Sequence, residues 1–266
     1  MFKLGWFSTA RGQASRDLLR TVWEKVEDGT IKAEFSFVFC NREPGESPET
    51  DKFLNQVKSY GIPLVTFSSV RFKPGPGHLS DQWRLEYDQE IMRRLQRFDP
   101  ELCFLAGYKL VVGPEMCSRY KMVNLHPAAP GGPAGTWQEV IWKLMEARAG
   151  QTGAMMHLVT PELDKGPVVT YCKFSLRGKD FDRHWRQTEG KSIASLKAEY
   201  GEELPLFKAI RKHGLVREFP LIVTTIQAFA EGRVKIEGGR IVDAEGNIVP
   251  GYDLSADVDR AVAGTL

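Results

Sequence analysis

Val123-Asn124-Leu125-His126-Pro127 is the stretch on which the reading of the fold turns. The apolar run Met122–Leu125 reads as a strand, and Pro127, with no N–H to donate, stops its ladder. Strand side chains alternate with period two, so Asn124 and His126 project from one face at the strand's C-terminal edge. In open α/β sheets ligands bind at that edge. Downstream, Thr160-Pro161-Glu162-Leu163-Asp164-Lys165-Gly166 adds a carboxylate in turn-forming surroundings. An amide, an imidazole and a carboxylate are the parts needed to move an acyl group onto an amine.

Outward from this stretch, apolar runs alternate with helical patterns. Strands are expected at Phe2–Ser8, Phe35–Cys40, Pro63–Phe67 and Leu102–Ala106. Between them, Ser15–Val26 places Leu18, Leu19, Val22 and Trp23 along one helical side, Thr50 caps a helix running to Tyr60, and Trp83, Tyr87, Ile91 and Leu95 recur every four residues. Strands alternating with helices predict a mostly parallel, doubly wound α/β sheet of Rossmann-like type. A helix follows over Thr136–Ala149. Strands Ala154–Val159 and Val168–Phe174, joined by a loop too short for a helical crossover, form an antiparallel pair. Lys179–His213 is polar and weakly periodic, so residues 178–217 read as a helical insertion or lid without a core of its own. A helix over Phe219–Ala230 and a small β meander of three strands (Val234–Ile236, Arg240–Val242, Asn247–Val249) follow. The expected organisation is a core over 1–177, the insertion over 178–217, a completing segment over 218–252 and an acidic tail over 253–266.

Composition excludes several classes. In 266 residues, 36 basic against 34 acidic side chains leave a formal charge of +2, too small to draw in nucleic acid or an anionic membrane. No apolar run reaches the roughly 18 residues of a membrane span, and Phe2–Phe7 lacks the features of a signal peptide. Four scattered cysteines without a C-x-x-C pair read as reduced thiols of a cytoplasmic protein acting on small molecules.

Taken singly, the motifs are weak. N-x-H-P is most often a strand end with a packed histidine, and D-x-G is common turn chemistry. The loop Ser8–Ser15, at the start of the first helix, offers exposed amides beside Arg11 and suits a phosphate as well as an ordinary βα turn. With one glycine it matches neither the dinucleotide fingerprint nor the P-loop. His157 alternates with apolar neighbours and is as readily a buried structural histidine as a support for a site. No His, Cys, Asp or Glu grouping has zinc spacing, so no metal is expected.

The order of the motifs resembles the folate-dependent formyltransferases. The resemblance rests on Phe39-Cys40-Asn41-Arg42, Gly61-Ile62-Pro63, Tyr87-Asp88, Leu105-Ala106-Gly107-Tyr108, Asn124-Leu125-His126-Pro127, His157-Leu158-Val159-Thr160 and Glu162-Leu163-Asp164-Lys165-Gly166-Pro167. It runs through residues 2–177 and resumes over 218–236.

This resemblance implies a formyltransferase-type α/β sheet and 10-formyltetrahydrofolate as co-substrate. It implies Asn124, His126 and Asp164 as a catalytic trio converging at the sheet edge. It further implies phosphate binding by Arg11, Gly12, Gln13, Ala14 and Ser15. The folate pocket would take Tyr108, Lys109, Leu110, Val111, Val112, Val159, Thr160, Pro161 and Glu162. Pro127 would adjoin the acceptor. Arg211, Lys212 or Arg217 would supply a contact where the family's acceptor-binding glutamate is here Leu215. The implied acceptor is glycinamide ribonucleotide, in purine biosynthesis, and the chain is open to forming a homodimer. An amino-sugar nucleotide, water as in a formyl-folate hydrolase, or a non-catalytic phosphate- or nucleotide-binding module are the alternatives. The acidic tail lacks the basic barrel expected of a methionyl-tRNA formyltransferase.

Overall fold

The computed structural model describes residues 1–265, so Leu266, the last residue of the expected tail, lies outside the described residues. Among the described residues, ten strands and nine α-helices follow one another along the chain. Strands β1 (Phe2–Ser8), β2 (Ala33–Cys40), β3 (Leu64–Thr66), β4 (Leu102–Leu105), β5 (Met122–His126), β6 (Gln151–Leu158), β7 (Val168–Ser175) and β10 (Tyr252–Asp253) form one sheet in the order β10-β7-β6-β5-β4-β1-β2-β3. The pairs β1–β2, β2–β3, β1–β4, β4–β5 and β7–β10 are parallel. Along β6 the partner recedes from Leu176, bonded at Gly150, to Pro167, bonded at Leu158, so β6 and β7 run antiparallel as expected. β8 (Val234–Glu237) and β9 (Arg240–Asp243) form a separate antiparallel hairpin.

The chain divides into two compact units. The first comprises residues 1–124, 157–167 and 226–248. Its core is aromatic: Phe7, Phe37, Phe39, Trp83, Tyr87 and Tyr108 bury their rings together with Ile91, Leu95 and Met122. Helix α3 (Asp81–Leu95) meets this core through the four-residue spacing of Trp83, Tyr87, Ile91 and Leu95, each buried. Helix α1 (Gln13–Glu27) packs by Leu18, Leu19 and Val22. Helix α2 (Pro48–Ser59) is capped by Ser47, whose hydroxyl accepts from Thr50 N–H at 3.2 Å, and not by Thr50 as expected. Pro48 at the first helical position, where its missing N–H costs nothing, explains the earlier start.

The second unit comprises residues 125–156, 168–225 and 249–266 as far as they are described. Helix α5 (Trp137–Glu146) opens with a capping box between Thr136 and Glu139 and buries Val140, Ile141, Leu144 and Met145. Residues 178–217 supply much of the packing opposite it, contrary to the expectation of a coreless arm. Helix α7 (Ile193–Tyr200), the start of α8 and the turns before α6 (Asp182–Gln187) and α8 bury Phe181, Leu196, Leu204, Leu206, Phe207 and Ile210 in the α5 cluster, against which Trp185 of α6 packs partly buried. Helix α8 runs unbroken over Pro205–Ala230 with Pro220 inside it, where the sequence suggested a start at Phe219. Proline inside a helix costs about 3 kcal/mol, whereas each fully buried Leu, Ile, Val or Phe returns about 2 kcal/mol. Burial of Leu206, Phe207 and Ile210 before Pro220 and of Leu221, Ile222 and Ile226 after it therefore outweighs the break.

Three smaller differences concern short elements. Helix α4 (Pro114–Arg119) was not expected. Asn247–Val249 is reduced to a single bridge, Val242 to Ile248, so the terminal meander is a two-stranded hairpin. The acidic tail contributes β10 and helix α9 (Ser255–Val262), which buries Val258 and Val262.

Candidate active site

Within the first unit the strand order reverses between β1 and β4, and the C-terminal ends of those strands form the topological switch point at which α/β sheets bind ligands. A cavity of about 300 Å³ opens at the end of β4. Its walls are Leu105, the segment Tyr108–Val112, Asn124 near the end of β5, His157 in β6, and Val159, Thr160, Leu163 and Asp164 from the following loop. Apolar walls with a few convergent polar groups are the usual make-up of a small-molecule site. Of the residues expected to hold folate, Tyr108, Lys109, Leu110, Val111, Val112, Val159 and Thr160 line this cavity, while Pro161 and Glu162 sit exposed on the loop outside its lining.

The wall segment Tyr108–Val112 belongs to no helix or strand and is held by neighbours. Lys109 N–H donates to Thr9 Oγ1 at 2.9 Å, and Gly113 N–H donates to Asp88 Oδ2 at 2.6 Å. The loop on the opposite side is shaped just as locally. Leu158 N–H bonds to Pro167 O and Val159 N–H to Met122 O, closing it at its base. At Gly166 a Cβ would stand 1.7 Å from the carbonyl oxygen of Leu158, so no side chain fits there. Asp164 takes a left-handed conformation (φ 55°), which a non-glycine residue adopts at a cost of about 1 kcal/mol. That turn brings Asp164 Oδ1 to 3.4 Å from Nε2 of His157, a residue only 3% exposed. His157 Nδ1 also lies 3.3 Å from the Leu158 carbonyl oxygen, so the ring both meets the backbone as a buried histidine and borders the Asp164 carboxylate. The alternation of His157 with apolar neighbours was the signal for its burial.

At the first βα loop, Gly12 is the N-cap of α1 and supplies no side-chain bond, so no cap occupies the helix's first amides. Ala10 N–H is taken by Ser8 Oγ and Ser15 N–H by Gly12 O. Arg11, Gln13 and Ala14 are exposed beside this helix start. Among the described residues no cluster of three or more His, Cys, Asp or Glu side chains could hold a metal ion.

The remaining expected residues belong to the second unit. His126 is 6% exposed, and its Nε2 lies 3.2 Å from the carbonyl oxygen of Pro133. A carbonyl can only accept, so that nitrogen carries the hydrogen and Nδ1 is left as the basic position. The rigid Pro130–Pro133 turn thus serves to aim a carbonyl at the ring. Pro127 borders a second, much smaller cavity of about 20 Å³ with Trp137, Thr152, Arg211 and Glu218. Arg217 is buried and committed internally, donating to His213 O at 2.9 Å and to Asp259 Oδ1 at 3.0 Å, with its guanidinium over the Phe174 ring.

Residues 12–180 match the formyl transferase family. A phosphoribosylglycinamide formyltransferase from Haemophilus influenzae is 25% identical over 223 residues, covering 82% of this chain and 84% of its own length. A formyltetrahydrofolate deformylase from the same organism is 29% identical over 92 residues, 32% of this chain and 31% of its own. A solved phosphoribosylglycinamide formyltransferase from Coxiella burnetii shares the fold, with a TM-score of 0.63 at 19% identity over 95% of this chain and 98% of its own. The family match spans β2 through β7 and every strand that borders the switch-point cavity after β1. The chain belongs to the formyl transferase family and is a folate-dependent formyltransferase.

Proposed function

We propose that the chain transfers the formyl group of 10-formyltetrahydrofolate to the primary amine of glycinamide ribonucleotide, a step of purine biosynthesis. The observation that carries this reading is the 300 Å³ cavity, walled by Tyr108, Leu110, Val111 and Val112 with Lys109 among them and bordered by Asn124 and Asp164, in a chain of this family. In it the folate ring system would lie against Tyr108–Val112, Val159 and Thr160, flanked by Pro161 and Glu162. The uncapped start of α1, with Arg11 to Ser15, would take the acceptor's phosphate, and Pro127 would border the acceptor. Because its guanidinium is already bonded, Arg217 would serve the acceptor indirectly, by ordering α8.

In the proposed reaction the amine nitrogen bonds to the formyl carbon and the carbonyl electron pair moves onto oxygen. The tetrahedral centre then collapses, the bond from carbon to the folate nitrogen breaks, and that nitrogen gains the proton the amine loses. Asn124 N–H and a His126 ring N–H would stabilise the oxyanion, each donor contributing about 3 kcal/mol. Asp164 would position the water that relays the proton. The enzyme so read works in the cytoplasm on small molecules, as a homodimer that analytical ultracentrifugation would detect.

The test is formyl transfer to glycinamide ribonucleotide, alongside an amino-sugar nucleotide and water. His126→Ala is expected to lower turnover about 100-fold while tetrahydrofolate still binds. Unchanged turnover removes His126 from the mechanism. A second reading, hydrolysis of formyl-folate, draws on the deformylase likeness and on exposed Leu215 where an acceptor-binding glutamate is expected. Release of formate with no formylated amine would establish it.

A further inference from the structure

We propose that Asp88 is a positioning residue for the folate-binding wall, its carboxylate anchoring the far end of the Tyr108–Gly113 segment. The functional consequence rests on the reading given under Proposed function; the anchoring itself does not.

The segment between β4 and α4 has no ladder or helix to hold its shape, yet it contributes five consecutive residues to the cavity. Its near end is tied to β1 through Thr9, and its far end to α3 through Asp88. The second tie is the shorter, 2.6 Å, as a charge-assisted bond to a carboxylate should be. It is also enclosed: Asp88 is 3% exposed and Val112, beside Gly113, is likewise 3% exposed. A Cβ on Gly113 would stand 2.9 Å from Asp88 Oδ2, so the lack of a side chain at 113 is what permits the approach. In the proposed reaction Asp88 has no part.

The charge is kept at a cost. Burial pushes the Asp88 carboxyl up to about 6, against the pull of the Gly113 bond and of Arg84. Of the titratable groups around it, Arg84 on α3 favours its charge and Glu115 on α4 opposes it. Tyr87, Tyr108 and Cys117 are raised by burial and stay neutral, so they add no negative charge against it. A neutral side chain would sit more comfortably at this position. A carboxylate retained there points to a role, and the backbone donor it engages ends the segment that walls the cavity.

The test uses the full-length enzyme with Asp88→Ala and Asp88→Asn. In Asp88→Ala, amide exchange over residues 108–113 should quicken by about tenfold, the loss of one charge-assisted bond, while β1 keeps wild-type protection. The Michaelis constant for 10-formyltetrahydrofolate should rise by a similar factor, with kcat nearly unchanged. Asp88→Asn, which still presents an acceptor oxygen but without the charge, should restore both only in part. In the wild type, lowering the pH through about 6 should quicken exchange at Gly113 beyond its intrinsic pH dependence, and the Asn variant should not respond. Wild-type exchange at Gly113 in Asp88→Ala, or a loss confined to kcat, overturns the proposal. If Asp88→Ala does not fold, the pH comparison between wild type and Asp88→Asn decides by itself. Should the wild type transfer no formyl group, the proposed function fails, while amide exchange still reports on Asp88.

Discussion

Asp164 and Gly166 show how a two-residue spacing shapes the loop at the cavity. Asp164 sits in the left-handed region and Gly166 presses against the Leu158 carbonyl, so the carboxylate's direction depends on a residue that cannot carry a side chain. Gly166→Ala is therefore expected to leave the fold intact by circular dichroism but shift Asp164. Displacement of about 1 Å lowers kcat/KM by about 100-fold; unchanged kinetics would show the loop adapts. Asp88 makes a stability prediction with a definite sign. Its folded carboxyl titrates near 6, above the ordinary carboxylate range, so the native state binds the proton more tightly than the unfolded chain. Stability thus falls as pH rises from about 4 to about 6, by at most about 3 kcal/mol. Asp88→Asn should melt higher than the wild type above pH 6, with the gap closing below about pH 4. A variant less stable at neutral pH would contradict this. The strand end carrying Asn124 and His126 was legible from the apolar run that Pro127 stops, and the turn at Asp164 from its flanking residues, but the side-chain ties Asp88–Gly113 and His157–Asp164 are specified by no local pattern.

Elements were read well where a single residue pattern governed them. The spacing in α3 and the apolar runs of β1, β2, β4 and β5 all correspond to observed elements. Where local signals competed, packing decided. Ser47→Ala should destabilise the protein by about 1 kcal/mol by removing the cap of α2, as seen in chemical denaturation, whereas Thr50→Ala should spare that cap bond. Pro220 looked like the start of a helix and proved to be inside one. Within residues 178–217, α6 and α7 span only 6 and 8 residues, too few turns for a helical period to emerge from a polar background. Of their sparse apolar residues, Leu196 is buried and Trp185 and Ile193 pack partly buried against the α5 cluster. Phe207→Ala should cost about 4 kcal/mol, the scale for an aromatic side chain removed from a packed core. A loss under about 1 kcal/mol would return the segment to the role of a loose lid.

At the scale of the molecule, each of the two units gathers segments far apart in the chain. In the second unit the buried face of α5 is covered by residues from α6, α7 and α8. Excising residues 178–217 should leave Val140, Ile141 and Leu144 without partners and yield an aggregating protein, not a formyltransferase of altered specificity. A soluble, cooperatively folding deletion product would refute this. Among the described residues no helix is long and apolar enough to cross a membrane.

The sequence by itself determined the alternating α/β plan and the strand end bearing Asn124 and His126, because period-two and period-3.6 patterns and turn chemistry are local physics written residue by residue, while its ordered motifs carried the family resemblance. Tertiary structure alone decided that strand order reverses between β1 and β4, that Tyr108–Val112 faces Asn124 and Asp164 across one cavity, and that the 178–217 segment is core. These depend on contacts between residues dozens of positions apart, where burial free energy outweighs local preference, as it does for the proline inside α8 and the carboxylate beneath Gly113.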